Sequence, residues 1–344
     1  MAAALLLFSI LAVPGCSSPG PDCKQPEVFC VGLVTQVGRL DDQAENQAAW
    51  EAIQQAKSDG LADKVAVIET IDSRDYEANT RVFADAGYDV VVTVGNDAEA
   101  PTFSIAGLYP KVYFIGVDQR PPVDQHNLPN LVWLVFPEDH LGFLAGALAA
   151  AVTQTGKVGA VFASDALLPM KLYGDGFLAG ALYSNPEVKA TVTYHNEAAQ
   201  GTSLDDPGWG EAAANSLVDE EVDIIFAAGG STASSALEAA ASRGVYAIGA
   251  EIDQYIALPA AAPRMLTSVL KLITPGVSDL LKAARGASDT QSAFRMGIYF
   301  GQIDFASYHE LAALIPDEVK QQMAALPKAL LSGDIHPNEL VPAP

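Results

Sequence analysis

Charged side chains and glycines stand directly after several apolar runs, where they could bind a small polar ligand. Asp118 follows KVYFIGV, Glu251 follows GVYAIGA, and Gly229-Gly230 follow VDIIFAA. In open parallel sheets, ligands bind beyond the carboxyl ends of the strands. Carboxylates orient a polar ligand by hydrogen bonds, and a glycine turn before a helix offers N–H groups to ligand oxygens. These positions are therefore predicted to line a ligand cleft.

The turn GGSTA at 229–233 half-matches the nucleophile elbow of hydrolases, but Ala233 stands where that motif has its final glycine. None of the five histidines is obviously paired with Ser231. A turn that binds ligand oxygens is therefore favoured over a catalytic serine, and a plain tight turn is the alternative. The sequence also lacks a P-loop, a GxGxxG run, an HExxH pair and an EF-hand loop, so no enzyme class or cofactor is predicted.

Two acidic pairs, Asp41-Asp42 and Asp205-Asp206, lie in predicted loops. A metal site would need a third or fourth ligand that the sequence does not place, so no metal is predicted. Solvated turns or helix N-caps are the alternative. Asp42 differs from the others because Asn46 follows four residues later, on the same face of a helix start.

The N-terminal segment is typical of a bacterial lipoprotein. Residues 1–13 are apolar, too few to span a bilayer but suited to the core of a signal peptide. Val13-Pro14-Gly15 then precede Cys16, which resembles a lipidation motif, and Ser, Pro and Gly follow. We expect removal of residues 1–15, lipidation of Cys16 and a tether over 16–27. An ordinary cleaved signal with an incidental cysteine is the alternative.

Cys23 and Cys30 remain as an even pair if Cys16 carries lipid. Outside the cytoplasm, such a pair can close a disulfide. Two reduced thiols, with Cys30 in the core of a strand, are the alternative.

The charge balance excludes two classes of partner. The chain carries 19 Lys and Arg against 42 Asp and Glu, a formal net charge of −23. Such a surface repels nucleic-acid phosphates and anionic lipid headgroups. The longest internal apolar run, 141–152, has the length of a buried helix. We therefore expect no nucleic-acid partner and contact with a membrane through the lipid anchor only. We also expect a monomer.

Apolar runs alternate with helix-period segments along the chain, which predicts an α/β protein with doubly wound parallel sheets. Predicted strands cover 28–35, 64–68, 89–94, 111–117, 130–136, 157–163, 188–195, 222–228 and 244–250. The 344 residues suggest two domains. We expect one lobe over 28–135 plus about 255–296, and a second over 136–254 plus about 297–344.

The stretch VGLVTQVGRLDDQAENQAAWEAI at 31–53 resembles the signature of the basic membrane protein family, the purine-nucleoside-receptor-like lipoproteins of ABC transporters. Further matching stretches follow in order from 28 to 300, among them YEANTRVFADAGYDVVVTVG and VDIIFAAGGS. The resemblance implies a type I periplasmic-binding fold whose two lobes close on a small ligand, and it implies no catalysis. The implied partner is the permease of an ABC importer, and the implied location of this protein is the outer face of the bacterial cytoplasmic membrane.

The resemblance also implies a set of ligand-binding positions. The family's base-reading Asp corresponds to Asp118 and its ribose-binding Lys to Lys271. The positions that also match the family are Asp42, Asn46, Gly229 and Gly230.

Four of these positions depart from the family pattern. Gln36 replaces the Asp that ends the first strand, and Glu251 replaces the ribose-binding Asp. Glu45 and Leu204 stand where the family has two Phe rings that stack on the base. Losing both rings would weaken nucleoside binding by about 2–6 kcal/mol.

The departures leave several ligands open. Either the ligand is not a purine nucleoside, or rings such as Tyr173, Phe177 or Trp209 replace the missing pair. A polar or cationic solute, such as a sugar or an amine, fits the additional carboxylates, provided that Glu45 does not point to solvent. A ligand sensor that signals to a membrane partner is the alternative to a transport protein.

Overall fold

The computed structural model describes residues 20–121, 127–197, 202–286 and 292–340. The predicted signal peptide and the lipidation site at Cys16 lie outside these residues. Within them, no helix is both long enough and apolar enough to cross a membrane.

Strands and helices alternate along nearly all of the described chain. The strands are β1 Cys30–Val34, β2 Lys64–Ile68, β3 Val90–Val94, β4 Tyr113–Val117, β5 Leu131–Val135, β6 Lys157–Phe162, β7 Lys189–Tyr194, β8 Ile224–Ala228, β9 Tyr246–Glu251, β10 Met265–Lys271, β11 Ile298–Phe300 and β12 Ile303–Phe305. The helices are α1 Glu45–Ser58, α2 Tyr76–Asp85, α3 Glu99–Leu108, α4 Glu138–Val152, α5 Leu168–Ser184, α6 Pro207–Asp219, α7 Gly230–Ser242, α8 Gln254–Ala257, α9 Ile273–Ala284, α10 Ser292–Met296 and α11 Asp317–Ser332.

The strands form two six-stranded sheets, ordered β11-β5-β4-β3-β1-β2 and β12-β10-β9-β8-β6-β7. All pairs are parallel except β10 with β12. Each sheet with its helices forms one lobe, so the predicted α/β class with two doubly wound sheets is confirmed.

Strand β1 is apolar at successive positions, and both of its faces are buried. Val31 and Leu33 pack in the same core as Ile53 of α1. Residues Cys30 and Val34, on the opposite face, pack in a second core with neighbours from α2. Because successive side chains of a strand point to opposite faces, a strand covered on both faces must be apolar at every position.

The division of the chain between the lobes differs from the expected one. Strand β10, expected in the first lobe, pairs with β9 in the second sheet, whereas β11 pairs with β5 in the first. The chain therefore crosses between the lobes after β5, after β10 and after β11. Helix α9 packs on α1 of the first lobe, where Thr274 Oγ1 donates to Ala48 O at 2.9 Å.

Helices α4 and α5 approach each other closely at glycines. A Cβ on Gly146 would lie 2.0 Å from Phe177 O, and one on Gly176 would lie 2.0 Å from Asp139 O. Only hydrogen fits between these backbones. This contact fixes α5, whose first turns reach the cleft between the lobes, against α4.

A disulfide joins Cys23 to Cys30, with a Cα–Cα distance of 5.7 Å. Both cysteines are buried, and Cys30 is the first residue of β1. The chain before the first strand is thereby held against the first lobe.

Candidate functional site

A cleft of ≈ 570 Å³ opens between the two sheets, at the carboxyl ends of their strands. The first sheet contributes residues that follow β1, β3 and β4, and the second contributes residues at or after the ends of β8, β9 and β10. Eight of the residues that the sequence predicts to contact a ligand line this cleft. They are Gln36, Glu45, Asp118, Leu204, Gly229, Gly230, Glu251 and Lys271.

Asp42 and Asn46, also predicted to contact a ligand, are not among the residues that line the cleft. Asp42 accepts hydrogen bonds from Ala44 N at 2.8 Å and from Asn46 N at 3.2 Å. The buried Asn46 side chain accepts one from Gln36 N at 2.9 Å. Both side chains therefore hold the loop between β1 and α1, and they position Gln36 and Glu45 instead of a ligand.

Lys271, the last residue of β10, binds carboxylates from both sheets. Its Nζ donates to Asp118 Oδ2 at 2.8 Å and to Glu251 Oε1 at 3.2 Å. Asp118 follows β4 of the first sheet, and Glu251 ends β9 of the second. The Lys271 side chain is only 2% exposed. This ion pair joins the two lobes inside the cleft.

Both carboxylate residues of this ion pair have a left-handed backbone. The φ angle is 54° at Asp118 and 72° at Glu251, in the region that favours glycine. Such a conformation costs about 1–3 kcal/mol per residue and occurs preferentially at ligand sites. The fold thus retains strain at the two positions that meet Lys271.

The charge state of Lys271 is fixed by its neighbours. Burial opposes its charge, but the negative charges of Asp118 and Glu251 outweigh that effect and raise the pKa of Lys271 well above its usual range. The Tyr173 hydroxyl lies 3.5 Å from Glu251 Oε1. Burial raises the pKa of Tyr173 well above its usual range, so this hydroxyl stays protonated.

Glu45, the first residue of α1, is buried at the cleft wall and does not point to solvent. Burial and then the negative charge of Asp118 raise the pKa of Glu45 well above its usual range. A buried carboxyl group beside a second carboxylate is stabilised in its protonated form, because its ionisation would bring two negative charges together. Glu45 is therefore protonated at pH values where an exposed glutamate is ionised.

A second ion pair in the cleft, which no sequence pattern predicted, joins Arg120 to Glu138. Arg120 lies two residues after Asp118, and Glu138 begins α4 in the other lobe. The Glu138 side chain is 3% exposed, and burial raises its pKa. Arg120 lies three residues after the end of β4, but no local pattern indicates its partner, 18 positions further along.

Acidic side chains outnumber basic ones among the described cleft residues, at five against two, so the balance is negative even with Glu45 protonated. Each cation is bound to a carboxylate: Lys271 to Asp118 and Glu251, and Arg120 to Glu138. The cleft is therefore unfavourable to an anionic ligand. Among the described residues, no group of three or more His, Cys, Asp or Glu is arranged to hold a metal ion.

No aromatic ring is among the described residues that line the cleft. Tyr173 and Phe177 are fully buried, and both lie against Phe226 in the core of the second lobe. Trp209 stacks on His195, with ring centroids 4.2 Å apart. None of the three rings therefore occupies the position of the missing stacking pair.

The glycine turn lies between β8 and α7, on the wall of the second lobe. Gly229 has φ 116° and Gly230 has φ 64°, so both need the freedom of glycine. A Cβ on Gly230 would lie 2.3 Å from Leu204 O. Leu204 itself is 39% exposed and lines the cleft beside this turn. The first turn of α7 thus presents its positive end to the cleft.

Comparison with known proteins agrees with this geometry. Residues 29–338 match a family described as ABC transporter substrate-binding protein, PnrA-like. A CD4+ T-cell-stimulating antigen of Listeria monocytogenes is 27% identical over 307 residues, which is 83% of each chain. An ABC transporter nucleoside-binding protein of Lactococcus lactis is 26% identical over 212 residues, 58% of each chain.

The same fold occurs in a solved structure of a solute-binding protein. The ABC transporter solute-binding protein of Conexibacter woesei aligns with a TM-score of 0.66 and 23% identity. The alignment covers 90% of this chain and 98% of that one. The predicted periplasmic-binding fold is therefore confirmed.

Proposed function

Because the chain belongs to the PnrA-like family of ABC transporter substrate-binding proteins, we propose that it captures a small polar solute outside the cytoplasm and delivers it to the permease of an importer. The protein acts by binding and carries out no chemistry on the solute. A lipid on Cys16 holds it at the outer face of the membrane.

The observation that carries the proposal is the contact of Lys271 with Asp118 and Glu251. These groups come from both lobes and meet at the ends of parallel strands, where α/β proteins bind ligands. A solute in the cleft touches both lobes at once, so its binding free energy favours the closed arrangement over an open one. Closure then becomes the signal that a permease recognises.

The ligand is a polar solute that is not a purine nucleoside. Glu45 and Leu204 replace the family's stacking rings, and the described lining supplies no other ring. A purine would have to contact the buried Glu45 carboxyl without the stacking that compensates in the family, which amounts to about 1–3 kcal/mol per ring face.

A nucleoside is the second candidate, because the Lactococcus lactis relative is named for nucleoside binding. Asp118 and Lys271 stand at the positions that would read its base edge and its ribose. Nucleoside binding would then require that the polar contacts of Asp118 and Lys271 give sufficient affinity without stacking.

A thermal-shift screen of the purified mature chain over sugars, amines and nucleosides tests the proposal. A solute at about 100 times its Kd adds about 2.7 kcal/mol to the free energy of unfolding. We expect at least one polar solute to stabilise the wild type, and Lys271→Ala to reduce that stabilisation. Equal stabilisation of the two proteins, or none from any solute, would contradict the proposal.

A further inference from the structure

We propose that the solute carries a positive charge, which lies against the buried carboxyl group of Glu45 and that of Asp118 in the cleft. This inference rests on the proposed function and specifies its substrate class. The class is small organic cations, with an ammonium or guanidinium group.

The Glu45 carboxyl group lies beside another acid instead of a hydrogen-bond donor. Its side chain is about nine-tenths buried and lines the cleft. Among the described residues, the charge that acts on it most strongly is that of Asp118, another acid. Burial of a carboxyl group against a second one leaves acceptor oxygens without a donor, and such groups are normally satisfied. A ligand N–H donor at this place would satisfy both carboxyl groups.

The two basic residues of the cleft are paired with carboxylates other than that of Glu45. The Lys271 ammonium is bound to Asp118 Oδ2 and Glu251 Oε1, and Arg120 is bound to Glu138. Five acidic side chains line the cleft against two basic ones, so the balance stays negative even with Glu45 protonated. A cationic solute is attracted to this negative charge, whereas a neutral one is not and an anionic one is repelled.

Glu45 stands where the family has a Phe ring that stacks on the base. An apolar residue there would contact a flat base from one side. The described lining has no ring that could stack on a base, and its apolar surface comes from aliphatic side chains such as Leu204 and Met170. The charged groups that face Glu45 are Asp118 after β4, Glu251 on β9 and Lys271 on β10, and the cleft also contains Asp97, Arg120 and Glu138.

Cation binding exchanges one positive charge for another at Glu45. Before binding, Glu45 holds a proton, because its pKa is raised by burial and by the negative charge of Asp118. When a cation binds, that proton leaves to solvent and the Glu45 carboxylate faces the cation. One proton is therefore released per cation bound, and the cation's affinity rises about tenfold per pH unit over the range where Glu45 is protonated.

Calorimetry with matched probes tests the inference. The cations are putrescine, agmatine, ethanolamine and choline. The neutral counterparts are 1,4-butanediol, which shares the chain of putrescine, and 3,3-dimethyl-1-butanol, which shares the shape of choline. We expect at least one cation to bind, with a Kd about 10- to 100-fold below that of its neutral counterpart. Titration in buffers of different ionisation enthalpy should show about one proton released.

Two variants separate the role of Glu45 from a general effect of charge. Glu45→Gln keeps the shape of the side chain but cannot ionise, and we expect it to abolish proton release and to raise the Kd of the cation about 10- to 100-fold. Glu187→Gln removes the same charge from an exposed position before β7 and should leave both quantities unchanged.

The outcomes distinguish the inference from the function on which it rests. Binding of a sugar, a diol or inosine with no binding of the four cations overturns the inference and leaves the proposed function standing. Cation binding whose proton release persists in Glu45→Gln overturns the role of Glu45. If no solute of any class binds, the proposed function fails and the inference fails with it.

Discussion

The ammonium of Lys271 lies 2.8 Å from the carboxylate of Asp118, although the two residues belong to different sheets and stand 153 positions apart in the chain. The same ammonium also binds Glu251, in its own sheet. One buried cation therefore holds the strand ends of both lobes together inside the cleft. Substitution of Lys271 must therefore affect the contact between the lobes as well as the binding of a ligand.

Replacement of Lys271 by Ala should weaken ligand binding and lower the free energy of unfolding, each by about 1–3 kcal/mol, because two carboxylates lose a buried charged hydrogen bond. Calorimetry and urea unfolding measure the two effects. Lys171→Ala is the control, since Lys171 forms an exposed ion pair with Asp175 that contributes less than about 1 kcal/mol. Equal effects of the two substitutions would contradict the assigned role of Lys271.

The unliganded protein should become less stable as pH rises from about 4.5, the value at which a glutamate in the unfolded chain loses its proton. The folded pKa of Glu45 is raised, so the folded state holds more protons than the unfolded state above that pH. The free energy of unfolding then falls by up to about 1.4 kcal/mol per pH unit, until Glu45 ionises in the folded state.

Unfolding of wild type and Glu45→Gln across this pH range measures the effect. We expect the variant to lose this part of the slope and to be more stable than the wild type at neutral pH. Parallel pH profiles for the two proteins would show that Glu45 is already ionised in the folded state.

Gly146→Ala should lower the free energy of unfolding by about 1–3 kcal/mol or more, because its Cβ would lie 2.0 Å from Phe177 O. Gly107→Ala is the matched control in α3, where the nearest atom to an added Cβ is 4.0 Å away. That change should be neutral or stabilising by up to about 1 kcal/mol. Thermal unfolding of both variants measures these effects. A Gly146→Ala variant as stable as the wild type would contradict the close contact between α4 and α5.

Cys16→Ser should move the protein from the membrane pellet to the soluble extracytoplasmic fraction when it is expressed in a bacterium, because a lipid on Cys16 is the proposed anchor. A matched Ser17→Ala variant retains the cysteine and should remain in the pellet. Identical fractionation of wild type and Cys16→Ser would contradict the anchor.

Local sequence pattern was sufficient for β1 to β9, whereas β10, β11 and β12 were not predicted as strands. The predicted strand 89–94 appears as Val90–Val94, and the predicted strand 222–228 appears as Ile224–Ala228. Apolar runs of strand length and helix-period segments carry this information locally. The same pattern could not assign β10 to a sheet, because that depends on pairing with β9 and not on the residues of β10 itself.

The candidate site was predictable to the same extent. Strand ends indicated Asp118 and Glu251, since the carboxyl ends of parallel strands meet at one edge. The spacing of Asp42 and Asn46 predicted that they lie near each other. It did not predict the direction of their side chains, which form hydrogen bonds with the loop backbone. The pairing of Arg120 with Glu138 joins two lobes, so no local pattern contains it.

Calorimetric titration with inosine, guanosine and adenosine tests most directly the central claim, that this cleft binds a polar solute without aromatic stacking. We expect the wild type to bind all three weakly or not at all. Glu45→Phe with Leu204→Phe should restore or strengthen nucleoside binding, because both faces of a base would regain a ring. Submicromolar binding of a nucleoside by the wild type would contradict the account.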